Sequence, residues 1–238
     1  MAGWRRNDTR GETVIRLCVF DAYGTLFDVA AAARRVAQEP EGEKLRAHWE
    51  QISADWRLKQ LEYSWLRAVT GHYVSFWQVT CDGLDWALDR AGLADDEKLR
   101  TRLLALYREL GTYEEVPSML NGLKNRHIDC AILSNGSMDM LNSAVSSAGL
   151  GPYFQAVLSV DEVRIFKPAR AVYDLVKARF DVSPEEVLFV SSNGWDAAGA
   201  SAYGFRAVWV NRTGAPVDRL MARPPHILPD LTSIAELT

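Results

Sequence analysis

The sequence predicts an α/β fold: a parallel sheet covered by helices on both faces, with a helical insertion after the first strand. Three observations predict it. Short β-branched apolar runs alternate with helix-patterned stretches, the mark of strand–helix–strand units and a sheet buried on both sides. The region from Ala30 to about Leu110 has helical periodicity and no such run. Polar clusters stand at the carboxyl ends of three runs, where open sheets of this kind place a ligand site.

The elements follow in order. Residues 1–13 read as a polar, flexible tail without the apolar core of a signal peptide. "VIRLCVF" (14–20) is the first strand and leads into Asp21. Residues 30–110 form the helical insertion, a lid or cap holding Trp49, Trp56, Trp65, Trp77 and Trp86. Residues 14–29 and 111–238 then form the sheet-bearing core. Its further strands are "IDCAILSNG" (128–136), "QAVLSV" (155–160), "EVLFVSSNG" (186–194) and "FRAVWVN" (205–211). The three polar clusters are Asp21, Ser134-Asn135-Gly136 and Ser191-Ser192-Asn193. One such cluster is an ordinary turn or helix cap; three at three strand ends point to a site.

Composition bounds the function. The 238 residues are 48% hydrophobic, enough for a large core. A net charge of -4 argues against nucleic acid as a partner. No stretch approaches the roughly 20 apolar residues of a membrane span. The three cysteines are odd in number and lack a CxxC pair, and Cys18 and Cys130 lie in apolar runs. They read as small hydrophobes in a reducing compartment, so a cytoplasmic location is expected.

Four stretches come in order: "FDAYGTLFD" (20–28), "AILSNGS" (131–137), "IFKP" (165–168) and "FVSSNGWDAAGASAYGF" (189–205). With "WRLKQLEYSWLR" (56–67) in the insertion, they closely resemble the L-2-haloacid dehalogenases of the haloacid dehalogenase superfamily. The resemblance covers nearly the whole chain after the tail. It implies a Rossmann-like core with a helical cap domain inserted after the first strand. It also implies hydrolysis of L-2-haloalkanoic acids through an aspartyl ester, with no cofactor and no metal.

The departures from the superfamily's phosphatases have a chemical reading. Those enzymes carry a second Asp two residues after the nucleophile, which protonates a strongly basic leaving alkoxide. They also hold Mg²⁺, partly through a Gly-Asp pair after a later strand. Here Tyr23 replaces the second Asp, and Ser191-Ser192 stands where Gly-Asp would. Only Asp196 remains, and one carboxylate among neutral neighbours is a poor Mg²⁺ site. A leaving group that needs neither proton nor metal fits both changes, and halide is one.

By resemblance, Asp21 is the nucleophile and Thr25 orients it. Lys167 keeps it ionised, since an opposite charge within about 4–6 Å favours a carboxylate. Arg57 receives the halide with a charge that does not titrate. Ser134 and Asn135, with the N–H groups of Ala22 and Tyr23, bind the substrate carboxylate. Asn193 and Asp196 place Lys167 and the hydrolytic water. Ser191 and Tyr173 match active-site positions. Tyr23, Leu61, Phe76 and Trp195 wall an apolar pocket. Ordinary readings stand beside these: Lys167 as a surface lysine, Tyr173 as a core-edge aromatic, "SNG" as a turn. Arg57 falls at the edge of a stripe of Ala54, Leu61, Trp65 and Ala68, where an arginine either snorkels or meets an anion. The expected partners are a small 2-haloacid, a halide ion and a second copy of the chain. The alternatives are the same nucleophile on a strained ring such as an azetidine carboxylate, a metal-dependent phosphatase, and an inactive binding module.

Overall fold

The computed structural model describes residues 14–238; the tail expected over 1–13 lies outside the described residues. Six strands form one parallel sheet: β1 (Leu17–Phe20), β2 (Asp129–Ser134), β3 (Ala156–Ser159), β4 (Val187–Ser191), β5 (Arg206–Val210) and β6 (His226–Leu228). Their order is β3-β2-β1-β4-β5-β6. Every residue of β1 and β4 is buried, as befits strands covered on both faces. In register, Cys18 of β1 lies between Cys130 of β2 and Leu188 of β4. The strand order reverses at β1: β2 and β3 build to one side, β4 to β6 to the other. That reversal opens a crevice at the carboxyl end of β1.

After β1 the chain enters four helices: α1 (Ala31–Val36), α2 (Trp49–Thr70), α3 (Phe76–Arg90) and α4 (Glu97–Tyr107). Ser75 and Asp96 cap α3 and α4, accepting from the N–H groups of Gln78 and Leu99. The helices α2 and α3 pack closely at Gly83, where a Cβ would stand 3.3 Å from Gln60 N and Trp56 O. The indole of Trp56 donates to Thr80 O at 2.8 Å across the same contact. The two crossings between this block and the sheet pair with each other: Asp28 N donates to Gly111 O and Tyr113 N to Leu26 O. Then come α5 (Val116–Asn125), α6 (Met138–Ser147), α7 (Arg170–Arg179) and α8 (Gly194–Tyr203), alternating with the strands.

Three details differ from expectation. The strands stop short of their "SNG" and "SSNG" tails, because the last serine turns the chain. The hydroxyls of Ser134, Ser159 and Ser191 each accept the N–H two residues on, at 3.1 Å, a turn that competes with the ladder. β6 had no sequence signal, being three partly exposed residues in "PPHILP". The buried face of α2 is also not the stripe of Ala54, Leu61, Trp65 and Ala68. Ala54 is exposed, and the buried residues are Ile52, Asp55, Trp56, Gln60 and Ser64. That face is rich in polar groups whose partners lie within the block: Asp55 meets Arg90 at 2.7 Å and Gln60 meets Thr80 at 2.9 Å.

Candidate active site

Asp21 continues the ladder one step past β1, its N–H donating to Val190 O at 2.9 Å. The chain then turns sharply. Ala22 O accepts from Leu26 and Phe27, and Gly24 takes φ +89°, a conformation that favours glycine. The turn brings Thr25, fully buried, back under the carboxylate. It leaves the N–H groups of Ala22 and Tyr23 without a backbone acceptor among the described residues. Two such donors beside a carboxylate form an anion cradle.

Both oxygens of Asp21 are engaged. Oδ2 accepts from Thr25 Oγ1 and from Asn193 Nδ2, each at 3.0 Å. Oδ1 accepts from Lys167 Nζ at 3.2 Å. Thr25 is itself held, its hydroxyl accepting from Ser192 N at 2.8 Å. Lys167 reaches Asp196 Oδ2 at 2.8 Å, and the Tyr173 hydroxyl donates to Asp196 Oδ1 at 2.8 Å. The Lys167 ammonium also lies over the Phe189 ring at 5.0 Å. It is not a snorkelling head: the side chain is 1% exposed.

Burial on its own disfavours the Lys167 ammonium, but the carboxylates of Asp196 and Asp21 outweigh it and hold its pKa above the ordinary value. Burial pushes Asp196 up, while Lys167 and Tyr173 pull it back. Tyr173, buried and facing Asp196, is pushed far above the usual phenol range, so it stays a donor. The cluster does not fit Mg²⁺. An ammonium already lies between the two carboxylates, and the flanking Ser191 and Asn193 are neutral, whereas Mg²⁺ needs near-octahedral oxygen ligands.

Arg57 comes to this cluster from α2. Its Nη2 donates to Asn193 Oδ1 at 3.0 Å and to Tyr23 O at 3.3 Å. The Asn193 amide therefore touches Arg57 with one end and Asp21 with the other. Asn135 directs Oδ1 to Lys167 N at 2.9 Å, anchoring the lysine's backbone. Ser134 and Ser191 end β2 and β4, the strands on either side of β1, and each accepts the turn N–H described above.

The aromatic side chains form two groups, one around Tyr23 and one at Trp195. Tyr23 stacks on Tyr107 at 5.6 Å and 13° and lies 6.2 Å from Phe76. Phe166, next to Lys167, meets Phe76 at 6.1 Å and Tyr73 at 5.1 Å. Trp195 meets Trp65 edge-on at 5.4 Å. Gly136 lets Tyr23 approach: a Cβ there would stand 2.7 Å from the ring. Tyr23 Oη and Trp195 Nε1 are buried without a hydrogen-bond partner among the described residues, a demand that a bound ligand can meet. Leu61 is half-buried.

The structure thus joins Asp21, Thr25, Arg57, Lys167, Tyr173, Asn193 and Asp196 in one hydrogen-bonded network. Asn135 borders it through Lys167 N, and Ser134 precedes Asn135 at the end of β2. Sequence reasoning missed Tyr107, Phe166 and Gln60. For Gln60 a signal existed: it lies one turn from Arg57 on α2. Asp21 is only 6% exposed, enclosed between the sheet and the helical block. Besides Arg57, the hydroxyl of Tyr73 ties that block to the core, donating to Asp161 Oδ1 at 2.5 Å.

Comparison with known proteins follows the geometry. The family model of haloacid dehalogenase-like hydrolases matches residues 15–204. The chain is 43% identical to (S)-2-haloacid dehalogenase 1 of Pseudomonas sp. (strain CBS-3), covering 94% of this chain and 96% of that one. It is 41% identical to (S)-2-haloacid dehalogenase 4A of Burkholderia cepacia, over 94% of this chain and 93% of the relative. The L-2-haloacid dehalogenase of Xanthobacter autotrophicus, solved with chloropropionic acid covalently bound, superposes with a TM-score of 0.82 at 39% identity, covering 94% of this chain and 98% of the other. A parallel sheet ordered around a buried aspartate, a lysine bridging it to a second aspartate, and this likeness across almost the full length agree: the chain belongs to the (S)-2-haloacid dehalogenases, within the haloacid dehalogenase-like hydrolases.

Proposed function

We propose that the protein hydrolyses L-2-haloalkanoic acids to 2-hydroxy acids with inversion, through an ester on Asp21. The observation that carries this reading is the Lys167 ammonium held between Asp21 and Asp196, beside a tyrosine where a phosphatase needs an acid. The relatives named for this activity agree with it.

The substrate carboxylate sits against the N–H groups of Ala22 and Tyr23, with Ser134 and Asn135. That sets the α-carbon over Asp21. Oδ2 is committed to Thr25 and Asn193, so Oδ1, with only Lys167, attacks the carbon from the face opposite the halogen. The C–halogen bond breaks with its electron pair, and the halide leaves toward Arg57. Halide is a weak base, so Tyr23 in place of an acid costs nothing. Water then attacks the ester carbonyl rather than the α-carbon, so the single inversion stands. Its proton passes to the Asp196 side of the cluster, and Asp21 is released as carboxylate. The balance is RCHX-COO⁻ plus water to RCH(OH)-COO⁻, X⁻ and H⁺. Excluding water around Asp21 with Tyr23, Phe76, Leu61 and Trp195 replaces its hydration by fixed donors.

The helical block over 30–110 acts as the cap that closes this site. A homodimer through α2 accords with Leu58, Leu66 and Val69, which stand 54%, 54% and 87% exposed on that helix. Three free cysteines accord with a reducing cytosol. No helix among the described residues is long and apolar enough to cross a membrane.

The test is halide release from each enantiomer of 2-chloropropionate, with and without a chelator. Turnover of the L form that survives chelation is expected. Phosphate release from an aryl phosphate, lost with chelator, and no halide from any 2-haloacid would overturn the reading.

A further inference from the structure

Tyr107 ends α4 and is 1% exposed. Its ring stacks on Tyr23 and tilts against Trp56 at 4.9 Å. Its hydroxyl meets both ends of the Gln60 amide: Nε2 donates to it at 3.1 Å, and it reaches Oε1 at 3.3 Å. Gln60 also donates to Thr80 Oγ1 at 2.9 Å, and Thr80 donates to Phe76 O at 2.8 Å. Trp56, Arg57 and Gln60 share one turn of α2. Tyr107 thus grips the residues on both sides of Arg57. Its ring also lies on Tyr23, whose carbonyl accepts from the same arginine. Burial raises the phenol's pKa, and the facing Arg57 guanidinium pulls it back.

Filling this space needs only a ring. A buried hydroxyl and amide are costly unless paired, so their presence calls for a role beyond packing. Resting on the function proposed above, we propose that Tyr107 is the positioning residue for Arg57. Its hydroxyl, fixed by Gln60, sets the depth at which the guanidinium meets the departing halide. Its ring sets the Tyr23 carbonyl that holds the arginine from the other side. Loss of the hydroxyl lets the guanidinium drift from the leaving group without removing its charge.

The test exploits the chemistry of the two steps. 2-Chloropropionate and 2-bromopropionate leave the same ester on Asp21, so its hydrolysis is blind to the halogen. Only ester formation feels the leaving group, and chloride needs more stabilisation than bromide. Tyr107→Phe keeps the ring stack and removes the hydroxyl. It is expected to lower kcat/KM for the chloro acid about tenfold, the scale of one hydrogen bond, and for the bromo acid by distinctly less. Chloride affinity, followed by tryptophan fluorescence during a salt titration, falls with it. Equal losses on both acids, or none, would overturn the inference while wild-type turnover still upheld the function. A wild type releasing no halide from either acid overturns both. Should Tyr107→Phe not fold, Gln60→Leu, which keeps the tyrosine, is read in the same way.

Discussion

Arg57, on a helix inserted after the first strand, donates to Asn193, just past the carboxyl end of β4, at 3.0 Å. The other end of that amide donates to Asp21 at 3.0 Å. One side chain therefore ties the charge proposed to receive the halide to the carboxylate proposed to displace it. Breaking either end disturbs both. Asn193→Ala and Arg57→Ala are each expected to lower kcat by about 10²-fold, the scale of losing a preorganised group at a transition state. The double variant should lose less than the product of the two, because residues in one network couple by about 0.5–3 kcal/mol. Steady-state halide release on all four proteins measures it; strictly multiplicative losses would mean that Asn193 links nothing.

Lys167 is expected to hold the fold as well as the nucleophile. Lys167→Met leaves Asp21 and Asp196 buried without their cation, and breaking a buried pair costs about 3–5 kcal/mol. The variant should recover part of that stability as pH falls from 7.5 toward 5, since protonation removes the uncompensated charge. Urea melts at both values decide it; a deficit independent of pH would place the loss in packing instead.

The wild type has the opposite alkaline signature. The Lys167 pKa is raised above 10.5 in the folded state. A raised cation contributes stability that is fully present below its unfolded pKa and is lost as pH rises through the folded one. This cluster should therefore cost no stability up to about pH 10, and the loss should begin above it. Denaturant midpoints from pH 8 to 11 test this in wild type against Lys167→Met, which should lack the alkaline fall.

Tyr173→Phe removes one donor from Asp196, a bond of 2.8 Å to a charged acceptor. Bonds of that class contribute about 1.5–3 kcal/mol. If Asp196 serves the hydrolytic step, the ester on Asp21 should accumulate in this variant. Intact-mass spectrometry after a short pulse with L-2-chloropropionate would then show the adduct. A variant that is slow but free of adduct would put Tyr173 in the first step.

Tyr73 and Asp161 hold the helical block against the sheet, and Asp161 also accepts from Met138 N at 3.0 Å, at the start of α6. Tyr73→Phe should loosen closure by about 0.5–1.5 kcal/mol. KM should rise up to about tenfold while kcat changes little. A fall in kcat with KM unmoved would show that opening is not what Tyr73 restrains.

The β1, β2, β4 and β5 strands were legible because burial on both faces writes them as continuous apolar runs. β6 was not, since an edge strand of three partly exposed residues leaves no run. The buried face of α2 was not legible, because three of its five buried residues, Asp55, Gln60 and Ser64, are polar and are satisfied by Arg90, by Thr80 and Tyr107, and by Leu61 O rather than excluded. The site residues came from the resemblance to the L-2-haloacid dehalogenases, not from periodicity. That resemblance set Lys167 beside Asp21 and Asp196 in role, but did not give the distances at which the ammonium lies between the two carboxylates. It said nothing of Tyr107, whose part depends on a contact between α4 and the turn after β1.

Where the chain leaves the sheet for its helices and where it returns, Asp28 pairs with Gly111 and Leu26 with Tyr113. To the sheet, the whole helical block is a loop whose two ends touch. The entropy of closing a loop grows only logarithmically with its length. Helices can thus be gained, lost or exchanged at this junction at little expense to the strands, and the residues at the strands' carboxyl ends can be inherited apart from the helices that pack over them.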